Sequence, residues 1–183
     1  MALKRLTIDG YGQLELNNVA FRRDGRVEAQ CALNETDFTD SPAENGMLFA
    51  VDRVNREIRK CENNEERPIA LNYSAEHMYD ERANGLKDFY LEPGTFYPRL
   101  GYLAVGDLFT TNCISYDDGA FATEDDFIAG LEAIETTPLY GAATEDGSIL
   151  IATAKATYGP VLQVVEKTTM PDGQLAVKLQ VIA

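Results

Sequence analysis

The chain has few of the residue types on which most enzyme and metal sites depend. Its 183 residues include no tryptophan, one histidine and three cysteines. A catalytic triad would have to use His77, and no nucleophile-elbow motif stands beside it. Cys31, Cys61 and Cys113 are far apart and form no C-x-x-C pair, which indicates reduced, buried thiols. The sequence therefore predicts no enzyme, with no catalytic residue, metal ligand or cofactor site.

Long apolar runs and excess positive charge are also missing. No stretch approaches the ~20 apolar residues that span a membrane. The start, MALKRLTIDGYG, carries no apolar run of signal-peptide length, so we expect the chain to be made in a cytoplasm. The formal net charge of −14 opposes direct binding to nucleic acid, because the phosphates would be repelled.

The charge is unevenly distributed along the chain. Residues 1–60 carry nine Lys/Arg against ten Asp/Glu, whereas residues 61–183 carry seven against twenty. The first third is therefore nearly neutral and contains clustered arginines, and the rest is strongly acidic. Such asymmetry bears on solubility and docking rather than on fold.

The apolar pattern is typical of short strands separated by turns. Turn signals recur roughly every ten residues, and we count about nine or ten strands and one short helix. This spacing predicts a mainly β fold, a β-sandwich or β-barrel built from short antiparallel strands, rather than βαβ units.

Several local patterns give specific predictions. Residues 3–8 and 13–16 flank DGYG and predict a hairpin. The pattern at 47–60 favours a strand, a turn and a second strand, and a helix through 50–60 is the alternative. Thr123 to Asp126 resemble a capping box and predict one short helix near 124–134. The last residues, VLQVVEKTTMPDGQLAVKLQVIA, predict a hairpin around Pro-Asp-Gly. We expect its final strand to lie at a sheet edge, where it could pair with a neighbouring chain.

Charged clusters supply the candidate binding residues. The acidic stretch 116–126 lacks the alternating ligands and the glycine position of a calcium loop, so it predicts a turn and a helix cap. The arginines form two groups, and either a solvated surface or a docking patch for an acidic or carbonyl-rich protein would use them. The candidate partner-binding residues are Arg22, Arg23, Arg26, Arg53 and Arg56.

The chain end resembles that of a known protein family. Val164-Val165-Glu166-Lys167, the run from Met170 to Gln174, and the alternating final strand are similar to the C-terminus of the small decoration (cement) proteins on the heads of tailed bacteriophages. Three more segments resemble that family in the same order, namely NGMLFAVDRVNREI (45–58), NGLKDFYLEPG (84–94) and GYLAVGDLFTTNCI (101–114). Residues 1–44 and the long insertion at 117–147 depart from it.

The resemblance implies a capsid decoration protein that binds the outer surface of the phage head and stabilises it. Its partner would be the major capsid protein, it would form a homo-oligomer, a trimer or dimer, on the virion, and it would contact neither nucleic acid nor membrane. A carbohydrate-binding module, or another structural virion protein of the tail or head-completion type, stays an alternative. Residues 1–44 would form an N-terminal hairpin or arm facing the capsid, and 45–183 a β domain, with a further division near 105–116 left open.

Overall fold

The computed structural model describes residues 3–75 and 85–183. It contains 35% strand and 10% helix, which confirms the predicted mainly β fold. Sixteen strands are present in the described part, more than the pattern predicted, because several pair over only two residues.

Eight strands form the larger sheet, and all neighbours in it are antiparallel except Ile114–Asp117 (β12) and Ile149–Ala152 (β14). In spatial order they are β1 (Leu3–Arg5), β12 (Ile114–Asp117), β14 (Ile149–Ala152), β13 (Tyr140–Ala143), β15 (Leu162–Thr169), β16 (Leu175–Val181), β11 (Leu108–Thr111) and β2 (Leu14–Asn18).

Six strands form the second sheet, in which only β4 and β7 are parallel neighbours. Their order is β3 (Val27–Glu28), β10 (Leu100–Gly101), β8 (Ile69–Asn72), β6 (Leu48–Asp52), β7 (Glu57–Arg59) and β4 (Ala32–Leu33). A two-stranded sheet pairs β5 (Ala43–Glu44) with β9 (Tyr90–Leu91). The described helices are α1 (Ala20–Asp24), α2 (Glu124–Glu132) and a 3-10 turn (Leu86–Asp88).

Strand β6 has a buried side chain on both of its faces. Leu48 and Ala50 belong to the core shared with the eight-stranded sheet, and Phe49 and Val51 belong to a second core on the opposite face. Because side chains alternate along a strand, this run of apolar residues packs against two layers at once. The two sheets are thus stacked through a common core, with an additional layer of loops outside the six-stranded sheet.

The predicted helix is confirmed as α2, and so is its capping box. Thr123 Oγ1 accepts a hydrogen bond from the Asp126 amide at 3.1 Å, and Asp126 Oδ2 accepts one from the Thr123 amide at 3.0 Å. Gly130, which weakens the helix, lies where a Cβ would come within 2.6 Å of the Phe121 ring. The glycine is therefore required for the helix to pack against that ring.

The strand–turn–strand prediction for 47–60 is confirmed, since β6 and β7 form an antiparallel hairpin. The C-terminal hairpin is confirmed as β15 and β16, and the apolar side chains of β16 face the core as expected. Its predicted edge position is wrong. Strand β16 lies inside the eight-stranded sheet, between β15 and β11, so its backbone is paired on both sides.

The predicted N-terminal hairpin is also wrong. Strand β1 pairs with β12 and β2 pairs with β11, which places the two strands at opposite edges of the eight-stranded sheet. The intervening loop is held by the C-terminal turn instead. Gln174 Oε1 accepts from the Asp9 amide at 2.7 Å, and Gln13 Nε2 donates to Asp172 Oδ2 at 2.7 Å. Strands from both sides of the 44/45 boundary share the sheets, whereas the division of the chain into domains stays a prediction.

A buried charged junction links the three sheets. Arg5 on β1 donates to both carboxylate oxygens of Glu44 on β5, at 2.8 Å for Nη1 to Oε1. The Gly12 amide donates to the same carboxylate at 2.5 Å, and Asn72 on β8 donates to the Glu44 carbonyl at 2.8 Å. The side chain of Glu44 is only 8% exposed, so its charge depends on these partners.

We expect Glu44→Gln to lower the free energy of unfolding by about 2 kcal/mol, because the substitution leaves the partly buried Arg5 guanidinium without its counter-charge. Urea unfolding followed by circular dichroism measures this. Glu166→Gln is the matched control, since Glu166 pairs with Lys178 at the exposed surface and its loss should change stability by less than about 0.5 kcal/mol. Equal effects of the two substitutions would contradict a structural role for the junction.

Candidate docking surface

Sheet direction brings the candidate arginines to one end of the six-stranded sheet. Strands β3, β10, β8, β6 and β7 are successive antiparallel neighbours, so β6 and β10 end where β3 and β7 begin. Arg26 immediately precedes β3, Arg53 follows β6 and Arg56 precedes β7. Tyr102 follows β10 at the same end. We call this surface, made by Arg26, Arg53, Arg56 and Tyr102, the arginine end.

The other two candidates lie next to this end, on helix α1. Arg22 and Arg23 are exposed on a helix that the pattern did not predict, which ends at Gly25 with φ of 70°. Only glycine adopts that left-handed conformation without cost, so Gly25 ends the helix. Arg23 forms a local ion pair with Asp24 at 3.0 Å, which partly neutralises its charge.

Arg53 is held in place by an aromatic ring and a carboxylate. Its Nη2 donates to Tyr102 Oη at 3.0 Å, and its guanidinium carbon lies 5.1 Å from the centre of the Tyr102 ring. Its Nε lies 3.4 Å from Glu28 Oε2. Burial raises the pKa of Glu28, but hydrogen bonds, first among them that from the Gln30 amide, outweigh it and lower that pKa, so the carboxylate stays ionised at neutral pH.

The turn between β6 and β7 projects an apolar residue between two arginines. Asp52 Oδ1 accepts from the Val54 and Asn55 amides, each at 3.0 Å, which holds the turn. Val54 at its tip is 92% exposed. Arg56 adopts φ of 58°, a left-handed conformation that costs a residue with a side chain about 1 kcal/mol or more. Arg56 therefore occupies a position better suited to glycine or asparagine, and its guanidinium is presented at a conformational cost.

A groove of about 470 Å³ lies beneath this turn. It is lined by residues 27–31 together with Arg53 and Arg56, and Arg56 Nη2 reaches the Gln30 carbonyl at 3.4 Å. Burial first, and then the nearby Glu28 charge, raise the pKa of Cys31 to about 11, so this thiol is not a ready nucleophile. Within the described ranges Arg26 and Arg56 form no ion pair, which leaves their charge available to an external carboxylate.

The remaining sequence candidates have structural roles or lie outside the described residues. Arg59, which the sequence groups with Arg53 and Arg56, pairs with Asp37 at 3.0 Å instead. In the acidic stretch, Glu124 Oε2 accepts from the Thr7 amide at 3.1 Å. Among residues 3–75 and 85–183 no group of three or more His, Cys, Asp or Glu is placed to hold a metal. His77 lies outside the described residues.

The sequence did not indicate either of the two residues that hold Arg53 in place. Glu28 is one of 30 acidic residues and nothing local distinguishes it, and Tyr102 is brought to Arg53 only by sheet pairing. Val54 could have been noticed as an apolar residue between arginines in a turn.

None of the described helices is long and apolar enough to cross a membrane.

Comparison with known proteins gives no relative: no protein-family model, no curated protein and no solved structure matches this chain.

Arg56→Asn should raise the free energy of unfolding by up to about 1 kcal/mol, because asparagine tolerates the left-handed conformation better than arginine. Denaturant unfolding of the purified protein measures the change. Arg22→Asn, which replaces a helical arginine, is the comparison and should not stabilise. Destabilisation by Arg56→Asn would show that the arginine contributes more to the fold than its conformation costs.

Proposed function

We propose that this chain is a head decoration protein of a tailed bacteriophage, which binds the outer surface of the capsid through its arginine end and stabilises the shell. The observation that carries the proposal is the turn at residues 53–56. It presents two arginines and an exposed valine from the end of a buried strand, in a chain whose net charge is −14. Arginine and tyrosine are enriched at the energetic centre of protein interfaces, and Tyr102 lies beside Arg53 at this surface.

The sequence resemblance supports the same proposal at the level of elements. The segment 45–58 forms the β6–β7 hairpin that bears the turn, and 101–114 includes β11 and leads into β12. The Pro-Asp-Gly-Gln stretch at the chain end is the turn that holds the loop after β1. The resembling segments therefore include both the scaffold and the proposed contact.

The partner would be the major capsid protein, and its contacting surface would be acidic. Arg53 is pre-positioned by Tyr102 and Glu28, so little conformational freedom is lost when a carboxylate binds beside it. The acidic remainder of the chain would face the solvent, and the protein would be located on the virion. A tail or head-completion component with the same kind of surface is the alternative, and electron microscopy of labelled particles would distinguish them by position.

Reversing the two charges tests the proposal. Arg53→Glu/Arg56→Glu should weaken binding to undecorated heads by at least tenfold, because both guanidiniums would be replaced by charges that an acidic shell repels. Co-sedimentation over a range of protein concentrations measures the affinity, and binding of the unsubstituted protein should weaken as salt is raised.

Lys4→Glu/Lys167→Glu is the matched control, because it changes the net charge equally on the eight-stranded sheet. It should bind heads nearly as well as the unsubstituted protein. If the unsubstituted protein fails to co-sediment at any salt concentration, the proposed function is wrong. If both double variants bind equally well, the arginine end is not the contact.

A further inference from the structure

A loop at the opposite end of the six-stranded sheet exposes two aromatic side chains. Residues 92–99 lead into β10, and since β10 is antiparallel to β3 and β8, its start lies away from the arginine end. Phe96 is 64% and Tyr97 55% exposed. Adjacent exposed aromatic residues are uncommon on a protein surface unless they contact something, because each ring buries about 150–250 Å² when it finds a partner.

The loop that carries these rings is restrained. Pro93 and Pro98 stand on either side of it. The Thr95 amide and hydroxyl both donate to the Glu92 carbonyl, at 3.3 and 2.6 Å. Proline limits the backbone on both sides, so the rings can bind with a small loss of conformational entropy.

A shallow apolar groove lies on the outward face of the eight-stranded sheet. Its volume is about 480 Å³. On β13 and β14, Ala142 lies opposite Leu150, and Tyr140 opposite Ala152. The apolar side chains that line the groove include Leu3, Ala142, Leu150, Ala152, Ala154 and Tyr158. Because five of the lining residues are alanines, the groove has space for a large side chain against a mainly apolar surface.

We propose that the loop at 92–99 of one copy inserts Phe96 and Tyr97 into this groove on a second copy. The rings are exposed in their own chain, so they do not fill its groove. The neighbouring charges are complementary: Glu92 and Arg99 flank the rings, and Lys155 and Glu145 line the groove. Each charge of the loop therefore has an opposite charge available at the groove.

The contact joins two different surfaces, so it is head-to-tail. Such a contact closes into a ring if the rotation between copies permits, and each copy then uses both its loop and its groove. Two aromatic anchors cover much less than the roughly 1,200–2,000 Å² of a stable interface, so association in solution is weak. Raised salt favours it, because each copy carries a net charge of −14 and the copies repel one another.

A mixing experiment tests the contact without capsids. Phe96→Ser/Tyr97→Ser removes the anchors, and Ala154→Arg blocks the groove from an exposed position. In sedimentation velocity at the highest attainable concentration, we expect the unsubstituted protein to self-associate, and each variant alone to associate about a hundredfold more weakly. A mixture of the two variants should form a 1:1 dimer and nothing larger, because each supplies the surface that the other lacks.

Val105→Ser is the control, since Val105 is 71% exposed and belongs to neither surface. It should associate like the unsubstituted protein, and circular dichroism should show all variants folded. Monomeric behaviour of the unsubstituted protein at every concentration and salt would overturn the inference, leaving the loop for a different partner. Failure of the mixture to dimerise would overturn it as well. Neither result depends on head binding, so this inference and the proposed function can fail separately.

Discussion

Burial of strand β6 on both faces is the constraint on which the rest of the molecule depends. Leu48 and Ala50 pack towards the eight-stranded sheet, and Phe49 and Val51 pack towards the outer loops, so no residue of this run can shift register without exposing apolar surface in both layers. The turn between β6 and β7 is anchored at one end by this fixed strand. Val54, Arg53 and Arg56 are therefore presented from a fixed base, which would reduce the entropy lost if this turn docks against a partner.

The polar junction around Arg5 and Glu44 has a different role. A buried ion pair recovers little net free energy once desolvation is included, and Arg5 Nε and the side-chain amide nitrogens of Asn45 and Asn112 are buried without a hydrogen-bond partner in the described part of the chain. These costs make the junction a poor source of stability. It does specify how β1, β5 and β8 meet, because a different arrangement of the sheets would leave a carboxylate buried and unpaired.

Local pattern was sufficient for elements whose partners are near in sequence. The β6–β7 and β15–β16 hairpins and the cap of α2 each depend on a few consecutive residues, and each was predicted. The failed predictions concern distant partners: DGYG resembles a hairpin turn, yet Gln13 and Asp9 bond to the C-terminal turn, and nothing within β16 indicates that β11 covers its second edge. For the same reason Arg53 and Arg56 could be nominated, whereas their grouping with Arg26 and Glu28 required the strand order.

The charge distribution would suit the two proposed contacts if they act in sequence. Copies with a net charge of −14 repel one another in solution, which under the proposed function would keep them apart before the shell is available. Arg26 and Arg56 form no ion pair with any residue that the structure describes, so the arginine end would give each copy one positively charged surface that orients it towards an acidic partner. Copies bound to a shell would be held at high local concentration, and a contact as small as two aromatic rings would become effective without any change in its intrinsic strength. A larger or more apolar interface would instead assemble the copies before docking, when their arginine ends point in different directions.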